Sequence, residues 1–260
     1  MKTFKIRCSA IGKIMGRSGL TETQLLTLAD LEKKVARTTK QEATYQELLH
    51  KKNNPELPAT CISFLEDWYK EQIYGRRKEF TSNMTEKGNI NEDEAIDFIA
   101  NKLNYPFLCK NEMYFEDDYM TGTPDMIPPN EILDSKCSWD CFTFPLLEKE
   151  LPTKDYWWQG QGYMNLLNRN HFKLCYVLTD TPYHIIEREA RNWCFKNGYD
   201  ELDDDILSQF VEKMTYKDID DKFKLKVFSF DRDDNAITQI KQRVIECRNY
   251  IENNFNTIES

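Results

Sequence analysis

Gly122-Thr123-Pro124-Asp125-Met126-Ile127-Pro128-Pro129-Asn130-Glu131-Ile132-Leu133-Asp134-Ser135-Lys136 sets Asp125, Asp134 and Lys136 around one turn. Pro128-Pro129-Asn130 reads as that turn, because proline fixes φ and removes a donor while asparagine tolerates tight backbone. The flanking segments, Met120 to Ile127 and Glu131 to Lys136, have the short apolar character of strands. Side chains two apart on a strand share a face, so Asp134 and Lys136 point the same way. A hairpin brings Asp125, at the end of the first strand, beside Asp134. Two carboxylates and one ammonium then converge. Ile132 and Leu133 mark the second strand as inward-facing, where charge is costly to bury without a purpose. The plainer alternative is two surface carboxylates with an ordinary salt bridge to Lys136.

Working outward, Met113-Tyr114-Phe115 reads as an earlier strand, making three consecutive antiparallel strands. Upstream, a helix starts near Glu86, carries Glu92, Ala95, Ile96, Ile99 and Leu103, and ends at Asn104 and Pro106. Downstream come a helix from about Lys154 to Asn168, a buried strand from Phe172 to Thr179, and Tyr183 to Ile186 as its hairpin partner. A polar helix near Asp203 to Met214, a strand from Leu225 to Phe230 and a long helix with Ile237, Ile240, Val244, Cys247 and Ile251 close the chain. The first 85 residues read as helical: Thr21 and Gln24 form a capping box, and Ile62, Leu65, Tyr69 and Ile73 have helical spacing. The expectation is one α/β (α+β) domain over 1–260, with a helical N-terminal part (1–85), a core with a mixed central sheet flanked by helices (86–190), and a C-terminal strand and helices (191–260).

The 260 residues are 40% hydrophobic and 30% charged, enough apolar material for a sizeable core and too much for a disordered chain. A net charge of -9 argues against a protein that coats nucleic acid, but it is compatible with an acidic metal site beside a basic groove. No apolar run is long enough to span a membrane, and the N-terminal residues lack the apolar region of a signal peptide. The eight cysteines are scattered with no CxxC pair, which suits reduced thiols in a cytoplasmic chain. His50, His171 and His184 show no metal spacing.

The trio of Asp125, Asp134 and Lys136 suits phosphodiester hydrolysis. Mg²⁺ binds through a few carboxylates, carbonyls and waters and leaves positions for a phosphate. The Ser135 backbone carbonyl, between the two side chains, is a further candidate ligand. A lysine beside the metal-bound water can orient it and stabilise developing charge. Gln159 and Tyr163 are four apart on the following helix and share a face; the alternative is an amphipathic helix with an aromatic core residue. Glu92 adds a carboxylate upstream, or is an exposed helix acid. The run Arg76-Arg77-Lys78 is either a phosphate contact or a solvated charged face.

Taken together in this order, these segments resemble the PD-(D/E)XK nucleases. More narrowly, they are similar to phage lambda exonuclease and the YqaJ-type viral recombinase nucleases over about residues 5–190. Asp125, Asp134 and Lys136 match the PD…(D/E)xK motif, with Asp134 one methylene shorter than the Glu of lambda exonuclease. Gln159 and Tyr163 match its QxxxY motif, with Gln161 a close alternative. Glu92 matches the acidic residue of the preceding helix, and Ser9, in Cys8 to Met15, falls where the family helps hold a 5′ phosphate. The resemblance implies a restriction-endonuclease-like core and a Mg²⁺-dependent exonuclease, with Mn²⁺ able to substitute, that degrades duplex DNA from an end, 5′ to 3′, in phage-type recombination. It implies a homotrimer, whose channel Arg76, Arg77 and Lys78 would line, a single-strand annealing protein as partner, and a phage or prophage protein in a bacterial cytoplasm. Some relatives carry an iron–sulfur cluster; Cys175, Cys194 and Cys247 are too dispersed for one here. The alternatives are an endonuclease of the same superfamily and a catalytically idle DNA-binding or assembly module.

Overall fold

The computed structural model describes residues 2–16, 19–53, 56–78 and 81–255. In chain order the elements are β1 (Ile6–Arg7), α1 (Ile11–Ile14), α2 (Glu22–Glu32), α3 (Thr39–Asn53), α4 (Ala59–Tyr74), α5 (Asn83–Ile90), α6 (Glu92–Leu103), β2 (Phe115–Glu116), β3 (Met120–Gly122), β4 (Ile132–Cys137), α7 (Lys154–Leu167), β5 (His171–Val177), α8 (Tyr183–Lys196), α9 (Asp204–Met214), β6 (Leu225–Asp231) and α10 (Asp234–Asn254). This is the mixed α/β architecture expected, with two three-stranded mixed sheets ordered β1-β3-β2 and β4-β5-β6.

The second sheet is covered on both faces. Ile132, Phe172, Leu174, Tyr176 and Phe228 pack with α7 and α10, whereas Leu133, Cys175 and Val177 pack with Ala95, Ile96 and Ile99 of α6. Burial on both sides explains why β4 and β5 read as apolar runs rather than as alternating patterns. Two glycines let α7 approach its neighbours closely. A side chain at Gly162 would meet Ile11 Cδ1 at 2.5 Å and Cys8 Sγ at 2.8 Å, and one at Gly122 would meet the Tyr163 ring at 2.6 Å. The Cys8–Ala10 turn and α1 can therefore lie directly across α7.

Several expectations are corrected. The three strands before α7 are not consecutive antiparallel partners: β2 pairs antiparallel with β3, β3 pairs parallel with β1, and β4 pairs parallel with β5. Only the antiparallel bridge Met126–Leu133 remains of the expected hairpin. The N-terminal part is not wholly helical, because Ile6–Arg7 supplies a strand. The helix expected from Glu86 is two, α5 and α6, broken at Asn91, whose side chain donates to Thr179 Oγ1 (2.8 Å) and the Asp180 carbonyl (2.6 Å). Tyr183 to Ile186 is the first turn of α8, not a strand. Pro182 precedes it and accepts from the Ile186 amide, and Ile186, Ala190 and Cys194 bury one helical face. A quartet of residues carries no period of its own, and the antiparallel partner of β5 is β6.

Candidate active site

β4 is an edge strand of its sheet, and Asp125 lies along that edge. Leu133 and Ser135 turn their backbone groups toward the free edge, alternate residues doing so in any strand. Leu133 spends its groups on the bridge to Met126, at 3.0 and 3.1 Å. The Ser135 amide (2.8 Å) and hydroxyl (3.1 Å) both donate to Asp125 Oδ2. The Ser135 carbonyl points to the same edge. Asp125 is thus fixed beside β4, with Oδ1 left as the oxygen that can reach a cation.

Asp134 and Lys136 face the other way, toward α7, on the face shared with Ile132. Asp134 is 1% exposed. Its Oδ1 accepts from Gln159 Nε2 at 2.9 Å, and its Oδ2 forms an ion pair with Lys136. No donor meets Oδ2 in hydrogen-bond geometry among the described residues, so a buried carboxylate oxygen keeps lone pairs to spare. Burial pushes the Asp134 carboxyl up, against the pull of Lys136. Burial alone would lower the Lys136 pKa, but the Asp134 and Asp125 carboxylates outweigh it and hold the ammonium charged. The Lys136 side chain keeps 28% exposure, with Nζ 5.5 Å from the Tyr156 ring centre. Lys136 therefore stands at the boundary between the buried carboxylate and solvent.

Among the described residues no three His, Cys, Asp or Glu side chains cluster closely enough to hold an ion on their own. Two carboxylates, one edge carbonyl and water form a different donor set. It suits Mg²⁺, which keeps several waters and uses one or two carboxylates. Asp134 Oδ2, buried and met by Lys136 alone, fits that role.

The other expected residues divide. Gln159 is brought to Asp134 and holds one of its oxygens. Tyr163 is 5% exposed and donates to the Thr123 carbonyl at 3.2 Å, bracing the turn that leads to Asp125; burial holds its phenol far above the usual range. Glu92, at the start of α6, pairs with Lys110 at 2.6 Å and acts electrostatically on Asp134. Ser9 is exposed on the turn that packs on α7. Gln161 is not at the site: it is fully buried, donates to the Asp231 carbonyl (2.9 Å) and accepts from the Asp233 amide (2.8 Å), tying β6 to α10. Arg76 and Arg77 are exposed beyond the end of α4, and Arg77 lines a separate groove.

Two features had no signal in the sequence. Lys110 lies in a loop, and only folding brings it to Glu92. Lys87 is 1% exposed, and its Nζ donates to the carbonyls of Trp139 (2.9 Å) and Thr179 (2.8 Å). It ties together the segments leaving β4 and β5, just beyond Lys136.

The sequence matches no protein-family profile and no curated protein. Solved structures do match. A phage related exonuclease from Haemophilus somnus 129PT superposes with a TM-score of 0.70 at 22% identity, over 99% of this chain and 97% of that one. The alkaline exonuclease LHK-Exo from Laribacter hongkongensis superposes with a TM-score of 0.60 at 10% identity, over 98% and 91%. A structure of LHK-Exo in complex with dAMP gives 0.56 at 13% identity, over the same 98% and 91%. The chain therefore has the fold of this phage related exonuclease and of the alkaline exonuclease LHK-Exo.

Proposed function

We propose that the chain is a Mg²⁺-dependent exonuclease that releases nucleotides from an end of duplex DNA, 5′ to 3′, with Mn²⁺ able to replace Mg²⁺. One observation carries the reading: buried Asp134 is held by Gln159 on one oxygen and faces Lys136 with the other, beside Asp125 on the edge of β4. The exonuclease activity of proteins with this fold, one of them in complex with a deoxyribonucleoside monophosphate, supports DNA as the substrate.

Asp125, Asp134 and the Ser135 carbonyl would hold the cation. When bound, it would polarise the phosphoryl group and acidify a water. Gln159 keeps Oδ1 of Asp134 engaged, so Oδ2 is the oxygen presented. Lys136, charged and partly open to solvent, orients the attacking water and stabilises negative charge on the phosphate oxygens. Glu92 and Lys110 form the acidic–basic rim on the α6 side. The resemblance to lambda exonuclease further supports a homotrimer, an annealing protein as partner, a role in phage recombination, and the cytoplasm of a bacterial host. Among the described residues no helix is long and apolar enough to cross a membrane.

The test is release of acid-soluble nucleotides from linear duplex DNA in Mg²⁺ and in EDTA, with light scattering of the same sample. Metal-dependent release and a particle of three 30.9 kDa chains are expected. Cleavage of covalently closed circular duplex would instead identify an endonuclease, and a chain that binds DNA without cutting it in Mg²⁺ or Mn²⁺ would be an idle module.

A further inference from the structure

We propose that the groove between α4 and the outer face of the β1-β3-β2 sheet binds a single strand of DNA; the proposal rests on the nuclease reading and extends it from the acidic site to the path of the strand.

The groove has a volume of about 910 Å³ and is lined by Lys2, Lys5, Arg7, Lys13, Arg77 and Lys78 against three acids, Asp67, Glu71 and Glu116. It therefore carries a net of three positive charges in a chain whose net charge is -9. The acids are already engaged. Asp67 pairs with Lys78 at 2.8 Å, Glu116 with Lys5 at 3.3 Å, and Glu71 accepts from the Lys78 amide at 3.3 Å. Lys2, Arg7, Lys13 and Arg77 have no ion-pair partner among the described residues and remain available to a polyanion.

Aromatic rings are interleaved with these cations. Phe64 and Trp68 lie one helical turn apart on α4, and buried Phe4 meets both edge-on, at 6.5 Å and 73° and at 5.1 Å and 88°. The two rings are thus locked from behind, while both line the groove. Lys13 Nζ sits 5.9 Å from the Phe64 ring centre. Tyr114, 62% exposed, stands on the opposite wall. A basic groove with rigid rings is the combination that binds unpaired bases on a tracked backbone. Bases within a duplex have their faces covered and offer these rings nothing to stack on, so a single strand is the occupant favoured.

The groove and the acidic site are also neighbours along the chain. Thr121 lines it, and Asp125 follows four residues later in the chain. Four extended residues span at most about 14 Å, so one strand can occupy both places.

Fluorescence anisotropy of a short fluorescein-labelled oligo-dT, with the full chain in EDTA so that no cleavage intervenes, tests this. The triple variant Arg7→Glu, Lys13→Glu, Arg77→Glu should bind about tenfold more weakly or worse at low salt, and its log K against log salt should flatten by about 0.7 for each phosphate no longer neutralised. Tyr114→Ala should weaken binding about fivefold or more with the salt slope unchanged. Circular dichroism checks the fold, and Arg77→Glu alone, at an exposed position, gives the same pattern at smaller size should the triple variant misfold. An unchanged affinity and slope would overturn the proposal. So would a blunt duplex that outcompetes oligo-dT and is equally weakened by Tyr114→Ala. Nucleotide release by the wild-type chain is scored separately. Loss of oligo-dT binding in a chain that never cleaves would sink the nuclease reading and leave the groove standing, and cleavage with unchanged binding would do the reverse.

Discussion

Replacing Lys87 by methionine should leave a thermodynamic signature that depends on pH in a defined sense. The wild-type ammonium is 1% exposed and is held by two carbonyls, of Trp139 and Thr179. Burial lowers its pKa from 10.5 to about 8, against the opposing influence of Cys137, Asp140, Asp180 and Glu94. The folded chain therefore releases this proton before the unfolded chain does. Between those two values the unfolded state binds more protons, so wild-type stability rises with pH across that window. At 1.36 kcal/mol per pH unit the full gap is worth about 3 kcal/mol, of which about 2–3 kcal/mol develops between about pH 7 and about pH 10. Methionine keeps most of the apolar stem but leaves the two carbonyls without donors, a loss of about 1–3 kcal/mol. Near neutral pH, relief from the buried charge and loss of the hydrogen bonds should roughly offset each other. Toward pH 10 the wild type should be the more stable by about 2–3 kcal/mol. Urea unfolding followed by circular dichroism at several pH values, on both proteins, measures the difference and cancels every other titrating group. Parallel pH dependences in the two proteins would refute the argument.

Gln159→Ala should lower turnover about tenfold or more, because Asp134 loses the donor that orients it, and should lower turnover more than it lowers folding stability; an unchanged rate with a large drop in melting temperature would mark Gln159 as purely structural. Gln161→Ala should do the opposite, destabilising the chain by about 1–3 kcal/mol by orphaning the Asp231 carbonyl and Asp233 amide, with turnover per folded molecule unchanged in single-turnover assays. Lys136→Ala should slow cleavage by about a hundredfold while DNA binding persists in Ca²⁺, as read by a mobility-shift assay.

The site is more legible in the sequence than the topology around it. Asp134 and Lys136 share a face because a strand alternates, whatever its partner, so their convergence follows from spacing alone. Asp125 reaches Ser135 through a single antiparallel bridge, and the proline-rich turn is enough to indicate that approach. Strand order is not legible: β4 joins β5 across α7 in parallel, a pairing between segments far apart in sequence that no local pattern encodes. Tyr183 to Ile186 reads as a strand because four residues fit both periods, and the helical face emerges only with Ala190 and Cys194. Gln159 and Gln161 look interchangeable in a sequence, yet positions two apart on a helix face different ways. One reaches Asp134 and the other the β6–α10 corner. Lys87, Asn91 and Lys110 act through partners brought to them only by folding.

The most direct test of the account follows linear duplex DNA labelled at one 5′ end or one 3′ end, incubated with wild-type chain and with Asp134→Ala in Mg²⁺ and in EDTA. The account predicts early release of the 5′ label by the wild type in Mg²⁺ only, and a rate lower by about two orders of magnitude or more for Asp134→Ala, since that change removes both a proposed cation ligand and the counter-charge of Lys136. Asp134→Ala cutting as fast as wild type in Mg²⁺, or a wild-type rate unaffected by EDTA, would contradict it.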